Sequence, residues 1–458
     1  MSEPSRNYTN PRQIEAEITD LAFDGKAVGQ VGGKITFFDS GLPGETVSGE
    51  ITRKKARYNY ARVLQVLVKS PDRISAPCPH FDICGGCTWQ DLNYERQLFY
   101  KRKQVIDCLK HIGHLGDIPV DEIIGANEQF FYRNKMEFSM NSEGATGFVL
   151  GLHRRGHFDR IFNVEHCLLQ SEISNQIANW FRRFVDDKKI PVYDIIDHSG
   201  FIRFLVIREG KHTNQVMLNL VTAEGEMPFK DELINKITAL VPSVTTIVQN
   251  INAAKANIAR GDYERILYGP GYIEEKLLDY TFRIYPNSFF QTNTFQAERL
   301  YGLIYDFLEP RKDDLLLDLY CGAGTIGICA SGLVGSVIGV ELEPSAIRAA
   351  RENAALNNIN NIAFHIDSVQ DILMQKNGVL NDATCVVIDP PRAGLHPKAL
   401  KRLAELAYSR LVYVSCNPAT FARDAAYLVG AGYAITKITP VDMFPHTMHI
   451  ELVAALKR

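Results

Sequence analysis

The run Leu317-Asp318-Leu319-Tyr320-Cys321-Gly322-Ala323-Gly324-Thr325-Ile326-Gly327 decides how the carboxy-terminal part of this chain folds. Apolar strand formers give way to a glycine-rich turn and then to a helical stretch. That order lets a ligand approach the backbone at the carboxyl end of a strand. Working outward, strand-like runs recur at residues 337–340, 362–366, 385–388 and 411–414, with helical stretches between most of them. Strands alternating with helices beyond Pro286 predict an α/β domain, a mostly parallel sheet with helices on both faces.

Glu341 ends the second of these strands, 19 residues after Gly322. A carboxylate there accepts hydrogen bonds from two ribose hydroxyls, so a nicotinamide dinucleotide and S-adenosylmethionine both fit. Two features separate them. Asp318 stands where a dinucleotide fold keeps an apolar residue, and Asp389-Pro390-Pro391-Arg392 follows the fourth strand. Asp318, Glu341, Asp367 and Asp389 thus fall near the carboxyl ends of successive strands. Four carboxylates suit a cationic sulfonium better than a pyrophosphate. The fifth strand stops at Ser415-Cys416-Asn417-Pro418, which places a thiol at the ligand-binding edge of the sheet, and Pro418 can open the next helix. Glu451 follows in the string His446-Thr447-Met448-His449-Ile450-Glu451.

A chain of 458 residues is too long for one ordinary core and predicts two to four domains. No apolar run reaches the roughly 18 residues of a membrane span, and the polar start Met1-Ser2-Glu3-Pro4 is no signal peptide, so a soluble cytoplasmic protein is expected. Nine unevenly spaced cysteines in a reducing compartment point to metal binding or catalysis rather than a disulfide framework. The net charge of -3 decides nothing about nucleic acid, but residues 51–70 hold six basic side chains and no acidic one.

That basic stretch belongs to residues 12–69, where short β-like runs alternate with glycines in the manner of a small barrel. In Arg53-Lys54-Lys55-Ala56-Arg57-Tyr58-Asn59-Tyr60-Ala61-Arg62, cations for phosphates interleave with aromatics able to stack on bases. Residues 71–79 read as a proline-punctuated linker and 92–112 as a helix. The middle, 120–283, mixes strands and helices without legible chemistry. Cys78, Cys84 and Cys87, with Cys167 some 80 residues later, suit either tetrahedral zinc or an iron-sulfur cluster.

Five ordered motifs carry a family resemblance: Asn287-Ser288-Phe289-Phe290-Gln291-Thr292-Asn293, residues 318–324, Asp389-Pro390-Pro391-Arg392-Ala393-Gly394, residues 414–418, and Phe444-Pro445-His446-Thr447 through Glu451. On these the chain resembles the TrmA/RumA-type RNA uracil-5-methyltransferases, S-adenosylmethionine enzymes acting on ribosomal or transfer RNA. The resemblance implies a Rossmann-like methyltransferase sheet, an amino-terminal OB-like barrel of the TRAM type and a mixed α+β central domain, at residues 286–458, 1–70 and 71–285. It makes Cys416 the nucleophile and Glu451 the base, with Gln291, Tyr320, Thr325, Glu341, Asp367 and Asp389 lining the cofactor and substrate pocket. Phe289 is expected to stack on the target base, and His449, if the segment is extended, to share a strand face with Glu451. Through its RumA-like branch the resemblance assigns Cys78, Cys84, Cys87 and Cys167 to a 4Fe-4S cluster, and 23S ribosomal RNA as the partner of a monomer. An amino-group methyltransferase would leave Cys416 without a role, and a non-catalytic RNA-binding assembly factor would have no need of Cys416 and Glu451.

Overall fold

The computed structural model describes residues 13–142, 148–157, 159–375 and 379–458. The polar start of the chain and Arg12 lie outside the described residues. By its contacts the chain divides into two compact units, one of residues 1–77, 87–104 and 446–448, the other of 78–86, 105–445 and 449–458. Among the described residues no helix is long and apolar enough to cross a membrane.

The smaller unit holds β1 (Gln13–Leu21), β2 (Ala27–Val31), β3 (Lys34–Phe38), β4 (Thr46–Lys54) and β5 (Tyr58–Val68), closed into a barrel in the order β1-β2-β3-β5-β4. Alternation along each strand turns Ile18, Phe38 and Val47 inward, where they pack with Trp89. Bulges along the long β4–β5 pair give a five-stranded sheet the bend it needs to close. On the outside, the half-buried rings of Phe37, Tyr58 and Tyr60 lie 5.6–5.8 Å apart, and Arg53, Lys54, Lys55 and Arg57 are exposed. The proline-punctuated linker is tied to the barrel by an ion pair. Arg73 bonds buried Glu45 and Asp91, both at 2.5 Å. The expected helix over 92–112 is α1 (Tyr94–Cys108) followed by a wider π turn at Leu109–Gly113, which ends on left-handed His114.

In the larger unit, β6 (Lys135–Ser142), β7 (Phe148–His153), β8 (Ile161–Asn163), α2 (Glu172–Asp187), β9 (Ile202–Glu209), β10 (Val216–Thr222), α3 (Lys230–Leu240), β11 (Val244–Ile251) and β12 (Tyr263–Tyr268) form a sheet ordered β12-β11-β10-β9-β6-β7-β8 with two helices. A hairpin of β13 (Ile273–Leu277) and β14 (Tyr280–Ile284) follows. Then come α4 (Thr294–Leu308), β15 (Leu315–Leu319), α5 (Thr325–Ala330), β16 (Ser336–Glu341), α6 (Pro344–Leu356), β17 (Ile362–Ile366), α7 (Val369–Met374), β18 (Cys385–Ile388), α8 (Pro397–Leu406), β19 (Arg410–Ser415), α9 (Pro418–Gly430), β20 (Ala434–Val441) and β21 (Glu451–Lys457). All five strands expected from the sequence in this region are present. Their sheet runs β17-β16-β15-β18-β19-β21-β20, parallel through β19, with β21 antiparallel to both of its neighbours. Prolines open α6, α8 and α9, where a missing N–H costs nothing.

Candidate active site

The chain leaves β15 toward β16 on one side of the sheet, while β18 lies on the other, so the crevice beyond β15 is the switch point at which an open α/β sheet binds ligands. The four carboxylates stand at this edge. Asp318 is fully buried, and its Oδ2 accepts the Gly327 N–H at 2.9 Å. Among the described residues its other oxygen, Oδ1, has no hydrogen-bond partner. Burial, with Asp389 and Glu341 adding and the Gly327 N–H opposing, pushes this carboxyl up to about 7. Glu341 is held by three backbone N–H groups, from Gly322 at 3.3 Å, Leu342 at 2.7 Å and Glu343 at 3.0 Å. Asp367 follows β17, its backbone N–H bonded to the Glu341 carbonyl at 3.1 Å. The Asp389 N–H donates to the Leu319 carbonyl at 3.3 Å, and burial pushes its carboxyl up to about 6.

The turn between β15 and α5 is shaped by left-handed residues, Tyr320 at φ 65 and Gly324 at φ 77. A Cβ at Gly324 would stand 2.9 Å from the Phe364 ring, so no larger residue fits without displacing that ring. Thr325 Oγ1 lies 2.7 Å from Tyr301 Oη on α4, which fixes the helix start from below.

The register of the last strands joins the two residues on which the chemistry depends. Ser415 of β19 faces Leu452 of the antiparallel β21, so the next step of the ladder sets Cys416 beside Glu451. Thirty-five residues apart in sequence, they are neighbours in space. Burial first, then Glu451 and Asp389, pushes the half-buried Cys416 thiol up to about 11, against the opposing Arg392 guanidinium. Glu451 is raised well above the usual carboxyl range by burial and by Asp389, again with Arg392 opposing. Arg392 is thus the cation shared by both groups. Its loop is fastened to the start of α9, where Asn417 Nδ2 and Thr420 Oγ1 donate to the Arg392 carbonyl at 3.0 and 3.3 Å. Its guanidinium lies 3.3 Å from His449 Nδ1.

His449 itself corrects an expectation. The strand begins only at Glu451, after bends and turns through 443–448 that include Pro445 and left-handed His446 at φ 66, so His449 and Glu451 do not share a strand face.

Gln291 and Phe289 sit on the loop between β14 and α4. Phe289 is 70% exposed, which removes it from the core, whereas its neighbour Phe290 is buried. The loop is held by residues that sequence reading missed. Arg208 of β9 donates to the Pro286 carbonyl at 3.2 Å and to the Ser288 carbonyl, and Asn134 Nδ2 donates to the Gln291 carbonyl at 2.9 Å. A charged residue closing an apolar strand run was the one available signal, in Arg208.

These residues suit S-adenosylmethionine. An orphaned, buried carboxylate oxygen and three further carboxylates answer a cation, and Glu341 ends β16 where ribose hydroxyls are accepted. The cysteines are less complete. Cys167 is buried and its thiol raised by burial, with Cys84 and Cys78 adding. Cys84 Sγ accepts the Gly86 N–H at 3.3 Å, and Cys87 Sγ accepts from Gln90 Nε2 at 3.1 Å. Among the described residues no three His, Cys, Asp or Glu side chains form a ready metal cage.

Residues 213–458 match the tRNA (uracil-5-)-methyltransferase family. An uncharacterized RNA methyltransferase of Halalkalibacterium halodurans is 38% identical over 97% of this chain and 96% of its own length. One of Chlorobaculum tepidum is likewise 38% identical, over 97% and 96%. The crystal structure of Pyrococcus abyssi tRNA (uracil-54, C5)-methyltransferase in complex with S-adenosyl-L-homocysteine superposes with a TM-score of 0.78 at 33% identity, covering 97% of this chain and all of that one. The chain belongs to this family of S-adenosylmethionine-dependent RNA uracil-C5 methyltransferases.

Proposed function

We propose that the enzyme methylates carbon 5 of a uridine in 23S ribosomal RNA through a covalent adduct between Cys416 and carbon 6. The observation that supports this most is the β19–β21 register, which puts a thiol and a carboxyl side by side at the cofactor edge. Carbon 5 of uracil is a poor nucleophile. The Cys416 thiolate adds to carbon 6, and the carbon 5–carbon 6 electrons move onto carbon 5 and oxygen 4 as an enolate. S-adenosylmethionine would supply the methyl group as an electrophile, its methyl–sulfur bond breaking as the bond to carbon 5 forms and S-adenosylhomocysteine leaving. Once carbon 5 carries the methyl group, Glu451 removes its proton, the double bond re-forms and the carbon 6–sulfur bond breaks, returning the thiolate.

Each step places a demand on the chain's own residues. The thiol at about 11 must ionise, and Arg392 is the residue that favours this. Gln291 donates to oxygen 4 as enolate charge develops, a role of the oxyanion-hole type. Phe289 stacks on the base, which must leave its RNA stack to be reached. Tyr320, Thr325, Glu341, Asp367 and Asp389 hold the cofactor.

The barrel acts as a TRAM module that binds RNA, with its three-ring patch and flanking cations as the contact surface. We keep the reading of three domains at 1–70, 71–285 and 286–458, of a monomer working in the cytoplasm, and of a 4Fe-4S cluster on Cys78, Cys84, Cys87 and Cys167. Iron and acid-labile sulfide assays with a visible spectrum test the cluster, and stoichiometric zinc without iron would remove it. A second substrate reading, a uridine of transfer RNA, is favoured by the likeness to the Pyrococcus abyssi enzyme. Labelled S-adenosylmethionine with ribosomal and transfer RNA from cells lacking the enzyme separates the two. Label in 5-methyluridine from 23S RNA supports the first, and label from transfer RNA overturns the branch.

A further inference from the structure

A cavity of about 670 Å³ that shares no lining residue with the carboxylate edge is lined by Asp82, Ile83, Arg154, Arg155, His157 and Arg160. Two chain segments build it. The loop carrying Cys84 is laced to the end of β7 and the residues after it, with Gly85 N–H donating to the His153 carbonyl at 3.0 Å and Arg155 N–H to the Ile83 carbonyl at 2.8 Å. Arg154 N–H then donates to the Arg160 carbonyl at 2.8 Å, which closes the turn between β7 and β8. The walls are therefore fixed by backbone bonds.

The three arginines are not equivalent. The Arg155 guanidinium is used in the wall, donating to the Phe81 carbonyl at 2.9 Å and lying 4.8 Å from the centre of the Phe81 ring. Arg154, Arg160 and His157 are exposed, and among the described residues neither Arg154 nor Arg160 forms an ion pair. Three arginines against one aspartate leave the lining with a net charge of +2 before His157 is protonated. Arg154 and Arg160 thus set two exposed like charges on one concave surface, where they raise the local positive potential. They suit a polyanion whose phosphates accept two N–H bonds from each guanidinium fork.

We propose that this cavity docks the RNA phosphate backbone at a place separate from the methylated uridine, with Arg154 and Arg160 each neutralising one phosphate. The proposal deepens the RNA-methyltransferase reading and rests on it for the class of ligand. Phosphate contacts fix register and orientation without reading sequence, so the cavity would set which length and fold of RNA is held while the base is reached elsewhere.

The test compares the full-length holoenzyme with R154A/R160A and R154K/R160K, using one labelled transcript of large-subunit ribosomal RNA in filter binding across a salt series. Each phosphate no longer neutralised lowers the slope of log affinity against log salt by roughly 0.7–0.9. R154A/R160A is expected to lose about 1.5 from the slope, and R154K/R160K to keep most of it. In methylation assays the alanine variant should show a raised KM for RNA, an unchanged kcat and unchanged S-adenosylmethionine binding. An unaltered slope and affinity in R154A/R160A overturn the proposal, including the case in which the cavity serves an acidic protein instead. Binding is read without turnover. A wild type that methylates no RNA, yet binds it with a steeper salt slope than R154A/R160A, would overturn the reaction assigned above and still support this cavity.

Discussion

Substituting Asp318 by Asn should stabilise the ligand-free protein at alkaline pH and destabilise it in acid. The carboxyl is fully buried and raised from 3.8 to about 7, chiefly by burial. Its folded-state pKa therefore lies above its unfolded one. Between about pH 4 and about pH 7 the unfolded chain has released this proton while the folded chain keeps it, so stability falls as pH rises through that window and stays lower above it. Three units at about 1.4 kcal/mol each give an upper value of about 4 kcal/mol. Asn is nearly isosteric and neutral at every pH. Its carbonyl can still accept the Gly327 N–H, while its amide group takes the place of the unpartnered Oδ1 at a cost of about 1–3 kcal/mol. The net expectation is a gain of about 2 kcal/mol at about pH 8, turning into a loss of about 2 kcal/mol at about pH 4, where the amide cost stands alone. Denaturant unfolding of wild type and D318N across this range, without cofactor, reads the difference directly. The raised carboxyls of Asp389 and Glu451 are present in both proteins and largely cancel. A D318N protein no better placed relative to wild type at pH 8 than at pH 4 would refute the reasoning. The same variant should bind S-adenosylmethionine more weakly, since it removes a carboxylate from the cation site.

Three further outcomes follow from the geometry. Glu451→Gln should accumulate a denaturant-resistant protein–RNA adduct, because methyl transfer precedes proton removal; unchanged turnover without an adduct, seen on a denaturing gel, would remove Glu451 from the base role. Arg392→Gln should move the acidic limb of the kcat/KM profile to higher pH, since Arg392 opposes the upward shift of both Cys416 and Glu451; a limb that stays in place contradicts the shared-cation assignment. Phe289→Ala should leave thermal stability intact, as befits a ring 70% exposed, yet lower kcat/KM for RNA roughly 5- to 150-fold, the worth of one stacked base. A loss of stability without a loss of kcat/KM would return that ring to a packing role.

The five parallel strands of the carboxy-terminal sheet were legible because each is a short apolar run that carries or is followed by a carboxylate or Cys416, so local pattern and ligand edge coincide. The barrel was legible from glycine spacing and alternation. The central region was legible as a mixture of strands and helices, but its sheet order and its chemistry were not. β9 and β10 are buried along their whole length, so alternation vanishes, and Arg208 reveals its role only through carbonyls about 80 residues away. The Cys416–Glu451 pairing lay between. Their types were visible, but their contact depends on β21 inserting antiparallel between β19 and β20, a register that no local signal encodes. The shared face of His449 and Glu451 was conditional on an extended segment, and that condition fails because Pro445 and left-handed His446 turn the chain.

The covalent adduct is tested most directly with RNA carrying 5-fluorouridine at the target, because fluorine at carbon 5 cannot leave as a proton does and the bond to carbon 6 is trapped. With S-adenosylmethionine, the wild type should give a denaturant-stable complex whose mass is that of protein plus singly methylated RNA, cross-linked at Cys416, and Cys416→Ala should give none. A wild type that methylates ordinary RNA yet forms no complex with the fluorinated one, or a Cys416→Ala variant that methylates at the wild-type rate, would contradict the account.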